Sequence, residues 1–201
     1  LPSEHMVVGP DVREDSVLNY VEKVFQRTQA AGINLIVWGS SGSRRIPDGF
    51  DREIAKKQFV AIAKKIAKLA MQYDIVLALE NLNRDEANFI NTLAEAVEIA
   101  EKVDQPSFMV CADIYHMLKE GEPASVIEKS KGYLVHCDIA EKVGRTPPGV
   151  AGYDFKPYLQ ALKKIDFKGK IIIEADWENL EKQAAPAYQF LQKQMAEVYG
   201  G

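Results

Sequence analysis

The sequence predicts an α/β fold in which helices cross between the strands of a parallel sheet, either doubly wound or closed into a barrel. Two observations carry this. Runs with helical periodicity alternate with short apolar runs from about Asp15 to the C-terminus. The apolar runs lack polar alternation, as strands buried on both faces do. A third observation points to chemistry. Four of these runs end on a metal-compatible residue: VLALE at Glu80, FMVCAD at Asp113, YLVH at His136 and KIIIE at Glu174. In a parallel sheet with helical crossovers the strand C-termini converge on one face, so residues there read as chemistry and strand interiors as core.

The elements follow in order. VLNYVEKVFQRTQAAG reads as a helix with Val17, Tyr20, Val21, Val24 and Phe25 on one face and Gly32 as its stop. Residues 33–39 (INLIVWG) read as a buried strand. Residues 51–73 form a long helix, with Ala55, Phe59, Ile62, Ala63, Ile66, Leu69 and Ala70 at spacings of three and four. A strand over 75–80 follows, and Thr92 with Glu95 forms a capping box for a helix through Val103. The FMVCAD strand, a helical stretch at 125–130, the YLVHCD strand, a helix at 158–165, the KIIIEA strand and a final helix around 184–199 complete the chain.

Composition narrows the partners. The 201 residues suffice for one substantial core, and 47% apolar content is ordinary for a folded domain. Acids outnumber Lys and Arg 29 to 25, for a net charge of −4, the opposite of the usual balance in a nucleic-acid binder. No run approaches the about 18 apolar residues of a membrane span. Cys111 and Cys137 fall in apolar runs and read as small core residues rather than a disulfide framework. The opening LPSEHMVVGPD has no initiator Met, no basic n-region and no apolar h-region. The expectation is a processed, trimmed or fragment start and a cytoplasmic chain, with the periplasm left open.

The strand count sets a further expectation. Five strand–helix units are found, whereas a closed (β/α)8 barrel needs eight and about 250 residues. The chain is therefore either a barrel lacking its first part, a segment of roughly 75 residues, or an open sheet. Five strands would leave two open edges and an interior lined by uncovered residues such as Leu35, Val37, Leu77 and Ile172, which favours a homo-oligomer.

Several motifs, in the right order, resemble the xylose isomerase-like TIM barrels, in particular sugar-phosphate isomerase/epimerase proteins and ketose 3-epimerases. WGSSGSRRIPDGF (38–50) is similar to the fourth-strand loop of that group, LALENLNRDEANFINT (77–92) to its fifth-strand motif and CADIYHM (111–117) to the sixth. VHCDIAEKVGRTPPG (135–149) resembles the seventh and IIIEADW (171–177) the eighth. The resemblance implies one barrel domain over residues 1–201, corresponding to the last five βα units and lacking the first three. It implies one divalent ion on Glu80, Asp113, His136 and Glu174. It also implies that Glu80 and Glu174 exchange a proton at a sugar carbon, and that Glu86 and His116 contact the substrate. The arginine of the seventh motif falls six residues after the histidine in the family. Here that place holds Lys142, and Arg145 lies three residues further on as the substrate-binding candidate, in a loop longer by about three residues.

The chemistry is coherent from the residues alone. Three oxygens and one nitrogen suit Mn, Mg or Co better than Zn. A divalent ion on the carbonyl and hydroxyl oxygens stabilises the enediolate formed when a proton alpha to a carbonyl is removed. Carboxylates on opposite faces can take and return that proton, inverting the centre. The expected function is a metal-dependent isomerase or epimerase acting on a small sugar, with no nucleic acid and no membrane as partner. A keto-inositol-type dehydratase starts from the same proton abstraction, and a non-catalytic truncated barrel is the third reading. A zinc endonuclease-like barrel would use many histidines, and this chain has only His5, His116 and His136. Each acid also has a structural reading, as the cap of the helix that follows its strand. Arg44, Arg45, the GSSG run, Trp38 and Trp177 are weaker candidates for sugar or phosphate contact.

Overall fold

A computed structural model describes residues 1–200. Five strands form one all-parallel sheet: β1 (Leu35–Trp38), β2 (Val76–Glu80), β3 (Phe108–Asp113), β4 (Leu134–Ile139) and β5 (Lys170–Ile173). Strand order is chain order, with no reversal of the kind that marks a doubly wound sheet. The arrangement is an α/β, TIM-barrel-like arc of five strands. Helices α1 (Glu14–Ala30), α2 (Arg52–Gln72), α3 (Leu93–Val103), α4 (Ile114–Glu120), α5 (Ser125–Lys129), α6 (Lys156–Lys164) and α7 (Leu180–Tyr199) complete it.

Local chemistry explains the boundaries. Asp51 caps α2 by accepting the Ile54 N–H at 2.8 Å. Thr92 caps α3 through the Glu95 N–H at 3.1 Å, but the Glu95 carboxylate reaches back to the Asn91 N–H at 2.6 Å, one residue beyond the expected reciprocal bond. Helix α4 was not evident from periodicity. It has only seven residues, starts on the Asp113 side chain and stops at Gly121 with φ 69°. Helix α7 begins at Leu180, earlier than the expected 184, because Asn179 supplies a cap. Pro186 then falls inside the helix rather than in its first turn, where its missing N–H would be harmless.

The core sits between the sheet and the helices, with Phe25, Phe59, Ile66, Leu79, Leu93, Ile99, Phe108 and Phe155 buried. Uniform strand burial holds only in the middle. In β2 and β3 a single residue each escapes full burial, whereas β5 alternates and leaves Ile172 44% exposed. Leu77, expected among the uncovered residues, is 3% exposed because it stands on the face of β2 opposite Glu80 and packs into the core beneath the helices. The outer edges of β1 and β5 carry no strand among the described residues. Unpaired edges invite self-association, so the 201-residue chain expressed alone is expected to form oligomers in light scattering, and a stable monomer would contradict this. No helix among the described residues is long and apolar enough to cross a membrane.

Candidate metal and proton-transfer site

Parallel pairing brings the strand C-termini level. Asp113 on β3 lies in register with Asp138 on β4, and the Glu174 N–H continues the ladder onto the Ile139 carbonyl at 3.2 Å. Glu80, Asp138 and Glu174 each offer an oxygen within 4.8 Å of the others, and so do Glu80, Asp113 and His116 with one ligand-type atom each. Glu80 and Asp113 are 6% and 1% exposed, while the Glu174 side chain is about half open. Burial, followed by the charges of Asp113, Glu174 and Asp138, pushes the Glu80 carboxyl up to about 9. Burial likewise raises Asp113 to about 7, against the pull of the His116 backbone N–H, and raises Glu174 as well.

Glu80 fits because residue 39 is glycine. A Cβ there would lie 1.7 Å from Glu80 Oε2. Beneath it, the fully buried Arg44 donates to the Glu80 main-chain carbonyl at 2.8 Å, while its Nε and Nη2 find no partner among the described residues. Burial lowers Arg44 only to about 10, so it stays charged at neutral pH. Asp113 serves two ends. One oxygen caps α4 through the His116 N–H at 3.1 Å, as the structural reading of a strand-ending acid expects, and the other faces Arg145 at 3.4 Å.

The three predicted substrate residues ring this cluster. His116 accepts the Asn83 backbone N–H on Nδ1 at 3.1 Å. The proton therefore sits on Nε2, which has no hydrogen-bond partner among the described residues and stands 3.5 Å from Asp113 and 3.7 Å from Glu80. Burial, then Arg145, Arg44 and Lys119, hold this imidazole down at about 3 and hence neutral. A fixed Nε2–H is a donor, so His116 is built to give a hydrogen bond rather than to ligate an ion. Glu86 lies at the rim, holding Asn83 Nδ2 at 3.0 Å and 4.0 Å from His116 Nδ1. Arg145 reaches in from the long loop after β4 and bonds Glu174 at 2.9 Å, stacked over Tyr115 at 4.9 Å.

His136 belongs to neither ligand-type group. Its Nε2 is 3.1 Å from Asp138 Oδ1, and Cys111 Sγ lies 3.2 Å from Asp138 Oδ2, so both Asp138 oxygens are engaged. Asp138 is absent from the expected ligand set because that set stops at His136, the first polar residue of YLVHCD, whereas β4 runs on to Ile139. The period of two in H-C-D places His136 and Asp138 on one face and was the available signal.

The donor set suits a cation. With all four ionised, Glu80, Asp113, Asp138 and Glu174 would carry four negative charges against the two positive ones of Arg44 and Arg145, and a divalent ion would balance the remaining two. Treatment with a chelator makes the cost of this cluster visible. Glu80 holds a proton when folded that the unfolded chain releases near 4.5, so its stabilisation is full below that value and lost as pH rises toward 9. The melting temperature of metal-free protein is expected to fall by about 5 °C or more between pH 5 and 9. Glu80→Gln is expected to flatten the drop, and a slope unchanged in that variant would contradict the assignment.

A family model described as Xylose isomerase-like TIM barrel matches residues 6–194. D-psicose 3-epimerase of Enterocloster bolteae is 28% identical over 62% of this chain and 41% of its own length. The enzyme of that name from Ruminiclostridium cellulolyticum is 28% identical over 82% of this chain and 57% of its own length. The chain thus spans about half the length of the curated relatives it matches. Among solved structures, D-psicose 3-epimerase of Clostridium cellulolyticum H10 with D-tagatose superposes with a TM-score of 0.85 at 22% identity, covering 96% of this chain and 75% of that one, a likeness of fold.

Proposed function

This chain belongs to the xylose isomerase-like TIM barrel family, and from that premise we propose that it is a divalent-metal-dependent epimerase or isomerase of a small ketose, residues 1–201 forming one partial barrel domain. The observation that carries this reading is the convergence of Glu80 and Glu174, from β2 and the end of β5, on one acidic cluster with Arg145 and the neutral His116 at its border. The curated relatives named D-psicose 3-epimerase supply the substrate class.

In this reading Glu80, Asp113, His136 and Glu174 would hold one ion, Mn, Mg or Co, and Asp138 would orient the His136 ring, as carboxylates behind ligating histidines do. The ion, when bound, would polarise the substrate's carbonyl and hydroxyl oxygens. One of Glu80 and Glu174 removes the proton alpha to the carbonyl, and the other returns it on the opposite face. The His116 Nε2–H donates to a substrate hydroxyl or developing oxyanion, and its neutral state keeps it a donor without adding charge. Arg145 and Glu86 fix the sugar from the rim.

The test is solvent deuterium. Ketoses such as D-psicose and D-fructose are incubated in deuterated water with the protein and Mn, Mg or Co, and the carbon next to the carbonyl is followed by NMR. Incorporation that stops on adding chelator is expected. A conjugated product would assign a dehydratase, and metal binding without any exchange would assign a non-catalytic barrel.

A further inference from the structure

The loop that carries Arg145 is gathered around a carboxylate with no part in the proposed chemistry. Glu141 is wholly buried. Its Oε1 accepts the Gly149 N–H at 2.8 Å and the Tyr153 N–H at 3.0 Å. Its Oε2 accepts the Ala151 N–H at 2.5 Å and the Thr146 hydroxyl at 3.0 Å. The Glu141 N–H closes the ring onto the Thr146 carbonyl at 2.9 Å. Burial alone would raise this carboxyl, but the Tyr153, Ala151 and Gly149 N–H groups outweigh it and hold its pKa below the ordinary range. Four donors on one buried carboxylate form an anion nest turned inward, with the protein supplying both host and guest.

Arg145 is adjacent to Thr146 and is held in a left-handed conformation, φ 47°, that only a constrained loop imposes on a long side chain. Its carbonyl accepts the Asp176 N–H at 2.8 Å, tying it to the segment just after Glu174. On its other flank Val143 is 74% exposed, so apolar burial does not anchor that side of the loop. We propose that Glu141 is a positioning residue that aims the Arg145 guanidinium at the substrate beside Asp113 and Glu174. The proposal rests on the epimerase reading for its kinetic consequence, not for its structural one.

Glu141→Gln tests it in the 201-residue chain. The amide turns a donor toward backbone donors, and the nest cannot close as before. The Arg145 Nε–H signal in nitrogen-15 NMR is expected to shift or broaden together with the Gly149 and Ala151 amides. This readout needs no substrate, so it stands even if no ketose is turned over. With an active chain, KM is expected to rise about tenfold, a loss of about 1.4 kcal/mol, with divalent-ion affinity unchanged. Arg145→Ala should give a similar rise, and adding Glu141→Gln to it should cost nothing further, because both changes remove one interaction. An unmoved Arg145 signal, or losses that add in the double variant as a general structural defect would, overturns the proposal. If Glu141→Gln does not fold, Thr146→Val, which removes one of the four donors, should move the Arg145 signal in the same direction, and an unmoved signal there overturns it equally.

Discussion

Gly39→Ala is expected to cut solvent-hydrogen exchange by about a hundredfold or more, the loss that follows a misplacement of about 1 Å in a reacting group. The change adds one methyl group and alters no charged or hydrogen-bonding side chain. That methyl would stand 1.7 Å from Glu80 Oε2, where nothing can stand, so the carboxylate must leave its place. Residue 39 lies outside the positive-φ region, and backbone strain is not the cause. Divalent-ion affinity should fall in parallel by about tenfold or more. Isothermal titration with Mn and the deuterium assay read the two effects separately. Native exchange with native affinity in Gly39→Ala would show that Glu80 tolerates another rotamer and is not held by this contact.

Glu174→Gln should separate holding the ion from moving the proton. The amide oxygen can still ligate, while the group can no longer act as a base. Exchange at the alpha carbon is expected to fall by about a hundred- to ten-thousandfold, with Mn retained at reduced affinity. Loss of charge also frees Arg145 from its 2.9 Å partner, so a modest change in KM should accompany the fall. Native exchange in the ion-bound variant would remove Glu174 from the proton-transfer pair. Turnover of a ketose without any solvent exchange would replace that pair with a hydride shift between carbons.

The parts legible in the sequence are those set by period and by strand termination. Buried parallel strands read as unbroken apolar runs, and the acid that ends such a run lies at the sheet's carboxyl edge whatever the rest of the fold does. Glu80, Asp113 and Glu174 could be found that way. Asp138 could not be ranked, because the end of β4 depends on its register with β3, which shifts between Val110 and Cys111. The role of Glu141 was hidden for a related reason. Its partners lie five to twelve residues away in a loop without periodicity, and only the folded path shows that they share one carboxylate. Helix α4 was missed because one cap and one glycine define it, with too few turns between them to register as a pattern.

Strand order equal to chain order has a consequence for synthesis. Each strand finds its partner in the strand made just before it, so the sheet can grow in the direction of translation without waiting for distant segments. Glu80 is delivered first, Asp113 and then Asp138 follow, and Glu174 arrives only after the last strand docks. A nascent chain stopped before β5 would already have gathered Glu80, Asp113 and Asp138 while lacking Glu174, the nearer of the two acids that engage Arg145. The proposed proton-transfer pair is thus incomplete until the final unit of this segment emerges, and the order of folding becomes the order in which the acidic cluster acquires its parts.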